Sequence, residues 1–502
     1  MTTWKERLAE LSDDPWRARA IWGLSALFVC ALHLFGNALN IGRAELWLDE
    51  SSTWGVARRS FGEVLTLPTE FHSQPPLYYL VLHFVMKLSD ARGFIRGLSW
   101  LNCLLLLQFV LFFVDELTLG ARLVFCLLFV YAGITGYLAS ALRPYGMAAF
   151  TTFVATVLFL RLLREPTRRR AVAYAIAALA MLYTMAFDVW VAVAHGACAL
   201  AYAAQHLARN GPRATIARMR APLLALVAVG VGYLPYLALV VHWQYRHNAS
   251  DNTGHIFVAS NYFGVADEFF RMSPPLMTAL YALIVLGLWG ELAAGRALVV
   301  TWLLIALGQV AFVLVFMYGR NSIGPTGRYI TPALPAACML AALGFQHLAP
   351  RLGRAAWQLV PIGLALVAWP AFGAYRAYLH APRPVGEWGK LYGAMAHRPG
   401  DKGIFFDIGY AGQDFEYVIR NDPSVHAYTM RGRHLASGGD DHLDPEYVRR
   451  TIDATHATTP CYYYWLSDSN GVYATTFLPE MARLGYKEVG APSGTHGFCR
   501  SE

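Results

Sequence analysis

Apolar runs of about 18–22 residues recur along most of this 502-residue chain, each long enough to cross roughly 30 Å of hydrocarbon. That recurrence sets the fold class before any motif is considered. With 56% hydrophobic residues, only 15% charged ones and a mean hydropathy of +0.37, an ordinary water-soluble domain is excluded. The runs fall at 20–40, 94–114, 122–140, 147–163, 171–188, 189–206, 221–241, 276–290, 297–317, 329–346 and 355–374. They predict an all-α polytopic membrane bundle of about eleven transmembrane helices. The segment 76–88 differs. It is about 13 residues long, interrupted by His83 and Lys87, and reads as a juxtamembrane helix along the membrane surface.

Basic residues set the orientation. With Lys5, Arg7, Arg17 and Arg19 in the cytoplasm, eleven spans also put Arg164, Arg168, Arg169 and Arg170 inside. The same parity holds for Arg209, Arg213, Arg218 and Arg220, and for Arg351 and Arg354. Counting 76–88 as a span would place all of these outside. The outer face then carries 41–93, 141–146, 242–275, 318–328 and the tail after 375. No cleavable signal peptide is expected, because Met1 to Arg19 is polar and the first apolar run is a full span. The net charge of +8 is thus a matter of topology, and no nucleic-acid partner is expected.

The chain divides into a membrane domain, 1–374, with a first outer loop at 41–93, and a small extracytoplasmic α/β domain, 375–502. In the latter, Lys402–Asp407 and Pro460–Leu466 read as buried strands, and Asp444–Arg450 and Leu478–Leu484 as short helices. Five of the seven cysteines lie in apolar runs and act as small hydrophobes. Cys461 and Cys499 lie in the tail, where an extracytoplasmic location permits pairing. No metal-ligand spacing is present, so no cofactor is expected and a divalent metal is not indicated.

Two polar islands interrupt this apolar text. Leu46-Trp47-Leu48-Asp49-Glu50-Ser51-Ser52-Thr53-Trp54 follows the first span, and His72-Ser73-Gln74-Pro75-Pro76-Leu77-Tyr78-Tyr79 comes soon after. The Asp49-Glu50 pair fits either a helix end that meets water or a general base at the interface, with Trp47 and Trp54 holding it at headgroup depth. His72 suits a phosphate or a sugar hydroxyl, or merely an ordinary turn. Arg143, before Pro144 and Tyr145 at the outer mouth of two spans, needs an anion: an acid or a ligand. Arg328, before Tyr329, is either a snorkelling anchor or a phosphate fork. Together these residues put a carboxylate pair and several cations on one face. Aromatics in the outer loop 242–275, among them Trp243, Tyr245, Phe257 and Tyr262, suit sugar stacking or packing on the spans.

Four stretches carry a resemblance to the bacterial branch of the GT-C glycosyltransferases. That branch includes the protein O-mannosyltransferases, the aminoarabinose transferases of lipid A and the galacturonosyltransferase-like enzymes of rhizobia. Leu46–Glu50 matches a tryptophan-x-x-aspartate-glutamate pattern, and Gln74–Leu80 with His72 resembles an interrupted His-Pro-Pro-Leu-Tyr-Tyr motif. Ala141–Tyr145 resembles Ala-Arg-Pro-Tyr, and Arg328-Tyr329 with Pro332 and Pro335 resembles the start of a family span. Tyr183–Phe187 is a weaker echo of a Tyr-Thr-His-Tyr-Phe stretch.

The resemblance implies an inverting transfer from a polyprenyl-phosphate-linked sugar to a glycan or lipid acceptor, at the outer face of the inner (plasma) membrane. It makes Asp49, with Glu50 beside it, catalytic, and Arg143, Arg328 and His72 the donor-phosphate residues. Gln74, Tyr145 and Tyr329 become substrate-binding residues. A lysine of the aminoarabinose transferases is replaced near Gln74 or Pro75, which leaves donor contacts to Arg143 and His72. The competing reading is a transporter or flippase of a lipid-linked sugar, in which the same cations only bind. Its expected midplane charges and related halves are not evident, although Asp188 lies near a span end.

Overall fold

The computed structural model describes residues 15–38, 41–42, 46, 48–72, 74–246, 274–319, 327–352, 387–406, 415, 417–428, 445–465, 472–491 and 495–500. The expected span 355–374, Trp47, Phe257 and Tyr262 lie outside the described residues. So do the side chains of His72, Trp243, Tyr245 and Arg328. By backbone packing the chain forms two compact units. The first comprises the described parts of Met1–Gly42, His72–Leu239 and Asn252–Ala381, and the second those of Arg43–Phe71, Val240–Asp251 and Pro382–Glu502. The residues 43–71, counted with the membrane domain from sequence, thus group with the tail.

The first unit is helical. α1 (Pro15–His33) is prolonged by a wider turn, Leu34–Ala38. The first outer loop, which groups with the second unit, supplies α2 (Leu48–Ala57) and α3 (Phe61–His72). There follow α4 (Leu77–Met86), α5 (Arg92–Phe113), α6 (Leu119–Tyr131), α7 (Thr135–Ser140), α8 (Tyr145–Arg164) and α9 (Arg168–Leu182). α10 (Val189–Arg246) is broken at Gly211, whose φ of +76° only glycine adopts without strain, and Pro212 restarts the helix where its missing N–H costs nothing. α11 (Pro274–Ala293), α12 (Val300–Gly319) and α13 (Ala333–Leu352) complete the unit.

Five described helices are long and apolar enough to cross a membrane: Arg19–Ala38, Arg92–Phe113, Tyr145–Arg164, Ala186–Val241 and Ala333–Arg351. The segment expected to lie along the membrane surface forms the short α4, whose 10 residues are about 15 Å long. Tyr78, Tyr79 and Leu82 are nonetheless fully buried, so one face of α4 is packed in protein.

Apolar side chains such as Leu27, Val231, Val285 and Leu307 face outward, as hydrocarbon allows. Close approach replaces hydrophobic drive between such helices. At the α11–α13 crossing, a Cβ on Gly287 would fall on the carbonyl oxygen of Leu340, and one on Gly344 on that of Leu283.

The second unit has a five-stranded sheet and short helices. Its strands are β1 (Lys402–Phe406), β2 (Val425–Tyr428), β3 (Cys461–Trp465), β4 (Tyr486–Val489) and β5 (Thr495–Arg500), in the order β2-β1-β3-β5-β4. β1 pairs parallel with β2 and β3, while β5 runs antiparallel to β3 and β4. β1 and β3 are buried along almost their whole length because both faces are covered. Ile404, Phe406 and Tyr463 face α14 (Glu387–Ala396) through Leu391 and Met395. Phe405, Tyr462 and Tyr464 face α15 (Pro445–Thr455) and α16 (Leu478–Arg483) through Val448, Ile452 and Met481.

Two helices of the first outer loop belong to this unit. Ser60 and Glu63 form a capping box before α3: the Ser60 N–H and hydroxyl donate to Glu63 Oε2 at 3.0 and 2.7 Å. Trp54, expected at headgroup depth, is instead buried. Its ring meets Tyr417 edge-on at 5.1 Å, with the Arg58 guanidinium 4.4 Å above it. An aromatic slot with a cation over it desolvates an indole more fully than an interface does.

Cys461 and Cys499 lie opposite each other in the β3–β5 register and form a disulfide with a Cα–Cα distance of 4.1 Å. It closes a loop of 38 residues around the sheet. Replacing both by serine should cost this unit about 2–4 kcal/mol. The expected result is a lower unfolding midpoint, and thiol labelling that reaches these two positions in the native chain only after reduction.

Candidate functional site

The polar stretches singled out in the first unit converge at one end of its helices. The Gln74-Pro75-Pro76 turn comes first. There, the Ala186 N–H donates to Gln74 Oε1 at 3.4 Å, and the Leu77 N–H donates to the Tyr183 carbonyl at 2.9 Å. These bonds join the start of α4 to the connection between α9 and α10. That connection is the Tyr183–Phe187 stretch, which the sequence marked only weakly.

From there the contacts continue through Gln309 of α12. Its amide nitrogen lies 3.3 Å from the carbonyl oxygens of both Phe187 and Tyr329. The rings of Phe187 and Tyr329 are 5.4 Å apart, and Tyr329 lies 6.4 Å from Tyr145. Tyr145 in turn packs on Tyr137 at 5.8 Å and has the Arg143 guanidinium 5.8 Å from its ring centre. Ser99 of α5 closes the circuit. Its hydroxyl donates to the Ala141 carbonyl at 2.6 Å, next to the Arg143 carbonyl, and lies 3.3 Å from the Tyr78 hydroxyl. Tyr78 returns the path to α4.

Gln74, Tyr78, Tyr79, Arg143 and Tyr145 are all buried within this cluster. The Arg143 guanidinium, at 6% exposure, lies among tyrosine rings, and its planar donor fork is of the kind that suits an anion. Arg328 belongs to the short turn Gly327–Ile330, which carries Tyr329 into the cluster. His72 ends α3, just before the Gln74 turn.

Asp49 and Glu50 belong to the second unit, in the first turn of α2. The Thr53 hydroxyl donates to the Asp49 carbonyl at 2.7 Å, which ties the turn down. Asp49 is partly exposed, whereas Glu50 is buried. Of this adjacent pair, Asp49 is the carboxylate that solvent or a substrate reaches.

Sequence reading overlooked Ser99 and Gln309 and gave Asp188 no part in the site. All three were visible in one respect: each is a polar residue inside or at the end of an apolar run. Asp188 is fully buried, with the Thr152 side chain beside its carboxylate. Gln309→Leu should deprive the Phe187 and Tyr329 carbonyls of their shared donor, at a cost of about 1–3 kcal/mol. A lower melting temperature for the detergent-solubilised chain checks this; an unchanged one would show that another group donates to those carbonyls.

No protein-family model matches this chain, and no curated protein matches it. Solved structures do match in fold. ArnT from Cupriavidus metallidurans, bound to undecaprenyl phosphate, is 16% identical over 95% of this chain and 98% of its own, with a TM-score of 0.62. The Archaeoglobus fulgidus oligosaccharyltransferase, tethered to an acceptor peptide, is 11% identical over 97% of this chain and 75% of its own, with a TM-score of 0.50. The same archaeal enzyme, AglB, in complex with an inhibitory peptide and a dolichol-phosphate, gives the same values. These neighbours are GT-C membrane glycosyltransferases, and this chain has their fold.

Proposed function

We propose that this protein transfers a sugar, with inversion, from a polyprenyl-phosphate-linked donor to a glycan or lipid acceptor at the outer face of the inner membrane. The observation that carries the reading is the closed circuit linking Gln74, Tyr145 and Tyr329 with the Arg143 segment. Three of the stretches singled out in the sequence thus meet in one cluster. The shared fold with an ArnT bound to undecaprenyl phosphate supports the donor class.

In this reading Asp49 takes the proton of an acceptor hydroxyl as its oxygen attacks the anomeric carbon. The bond from that carbon to the donor phosphate breaks on the opposite side, and the sugar inverts. Negative charge builds on the departing polyprenyl phosphate, where Arg143, Arg328 and His72 stabilise it. Gln74, Tyr145 and Tyr329 position the donor. Glu50 stands beside Asp49 in the first turn of α2 as the second acid of the catalytic pair. The disulfide in the second unit fits an extracytoplasmic location for the tail.

The test uses the purified full-length protein, a panel of polyprenyl-phosphate sugars and an extract of membrane glycolipid and glycan. Release of polyprenyl phosphate that depends on acceptor is the expected result. Asp49→Asn should lower it by roughly 10²–10⁴-fold while leaving the melting temperature in place. Full turnover by that variant would remove Asp49 as the base. Donor binding by wild type with no release would favour the transporter.

A further inference from the structure

At the other end of α8, roughly 30 Å along its 20 residues from the Arg143 cluster, the first unit holds a cavity of about 1200 Å³. It lies where α5, α8 and α11 end, where α9 and α12 begin, and beside the break in α10. Four of its arginines are matched by carboxylates. Arg161 meets Asp115 at 3.2 Å, and Arg296 meets Glu291 at 2.9 Å. Arg164 with Glu116, and Arg170 with Glu165, each pair at 2.5 Å.

Two further lining arginines, Arg209 and Arg218, have no carboxylate within 4 Å among the described residues. Arg218 donates through Nη2 to the carbonyls of Leu163 and Arg164, but its buried Nε has no hydrogen-bond partner among the described residues. A buried guanidinium donor left unmatched is costly, and an anion is what relieves it.

We propose that this cavity binds the phosphate of an anionic membrane lipid. Its size exceeds the ~300–1,000 Å³ of an ordinary small-molecule pocket, which leaves room for a headgroup with the upper part of its chains. Ala201 and Leu304 line the wall, and Leu200, Leu207 and Ile216 on the same helices point outward to hydrocarbon. The arginine-rich end is the one that the positive-inside rule assigns to the cytoplasm, where anionic lipid is met by basic pockets between helices. Inorganic phosphate offers the same chemistry without the chains. The site is remote from the sugar-transfer residues, and the inference stands whether or not transfer occurs.

The full-length protein in neutral detergent is titrated with phosphatidylglycerol, phosphatidylcholine or inorganic phosphate, and followed by native mass spectrometry and melting temperature. Phosphatidylglycerol should stay bound and raise the melting temperature, and phosphatidylcholine should not. Arg209→Gln should weaken binding about five-fold, and Arg209→Glu about 25-fold. Arg218→Gln also removes a cap from α8, so the exposed Arg209 carries the test. Displacement of the lipid by inorganic phosphate alone would assign the site to soluble phosphate; no effect of phosphate would assign it to the lipid. Equal retention of both lipids with no response to phosphate overturns the proposal. So does phosphatidylglycerol binding that Arg209→Glu leaves unchanged.

Discussion

Hydrocarbon supplies no hydrogen-bond partners, so a polar group placed among membrane helices must bring its own. Most of the first unit follows from that constraint. Gln309 serves two carbonyls, and the Ser99 hydroxyl serves the turn at Ala141. Deeper in the bundle, His195 sits between the Tyr174 and Thr156 hydroxyls at 3.2 and 3.1 Å and stacks on Phe159. Each is a side chain closing an account opened by a helix end or by another side chain. The same rule sets the Thr152 side chain beside the buried Asp188 carboxylate.

The constraint also explains how three sequence motifs come to share one place. Helix ends expose carbonyls and N–H groups that lack intrahelical partners. The α9–α10 connection, the turn before α4 and the turn before α13 are all such ends. Once brought to one level of the bundle, they are best satisfied by each other and by the few polar side chains nearby. Aromatic rings then fill the remaining space: Tyr145, Tyr329 and Phe187 pack in sequence. Such mutual packing fixes side-chain positions in advance, which is what the proposed phosphate binding draws on.

The bundle was legible because its signal is length and hydropathy, and these depend on no partner. The two central strands were legible for a similar reason: Lys402–Phe406 and Cys461–Trp465 are buried on both faces and read as continuous apolar runs. β2 and β4 were not, since each edge strand buries only one side chain fully and shows no run. Nor was the grouping of 43–71 with the tail. It rests on contacts such as Trp54 against Tyr417, between residues more than 300 positions apart, which no local pattern encodes. In the site, arginine and tyrosine motifs stood out by type. Ser99 and Gln309 did not, because one serine or glutamine in a span has no meaning until its acceptor is known.

α8 shows how one element serves both ends. Its first turn, at Pro144-Tyr145, has no side-chain cap, and Arg143 stands next to it. Its last turn carries Arg161 and Arg164, and Arg218 donates to its final carbonyls. The helix dipole puts partial positive charge at the first end and partial negative charge at the second. Cations at the C-terminus are thus stabilised where they stand. At the N-terminus the dipole adds to the Arg143 charge rather than cancelling it, so an anion bound at that end gains from both. A phosphate leaving a sugar is such an anion, and it gains most at the moment its charge is greatest. In the proposed transfer, the polarity of α8 thus favours departure of the phosphate over simple binding, and that is how the proposed transferase would differ from a carrier that holds the same lipid.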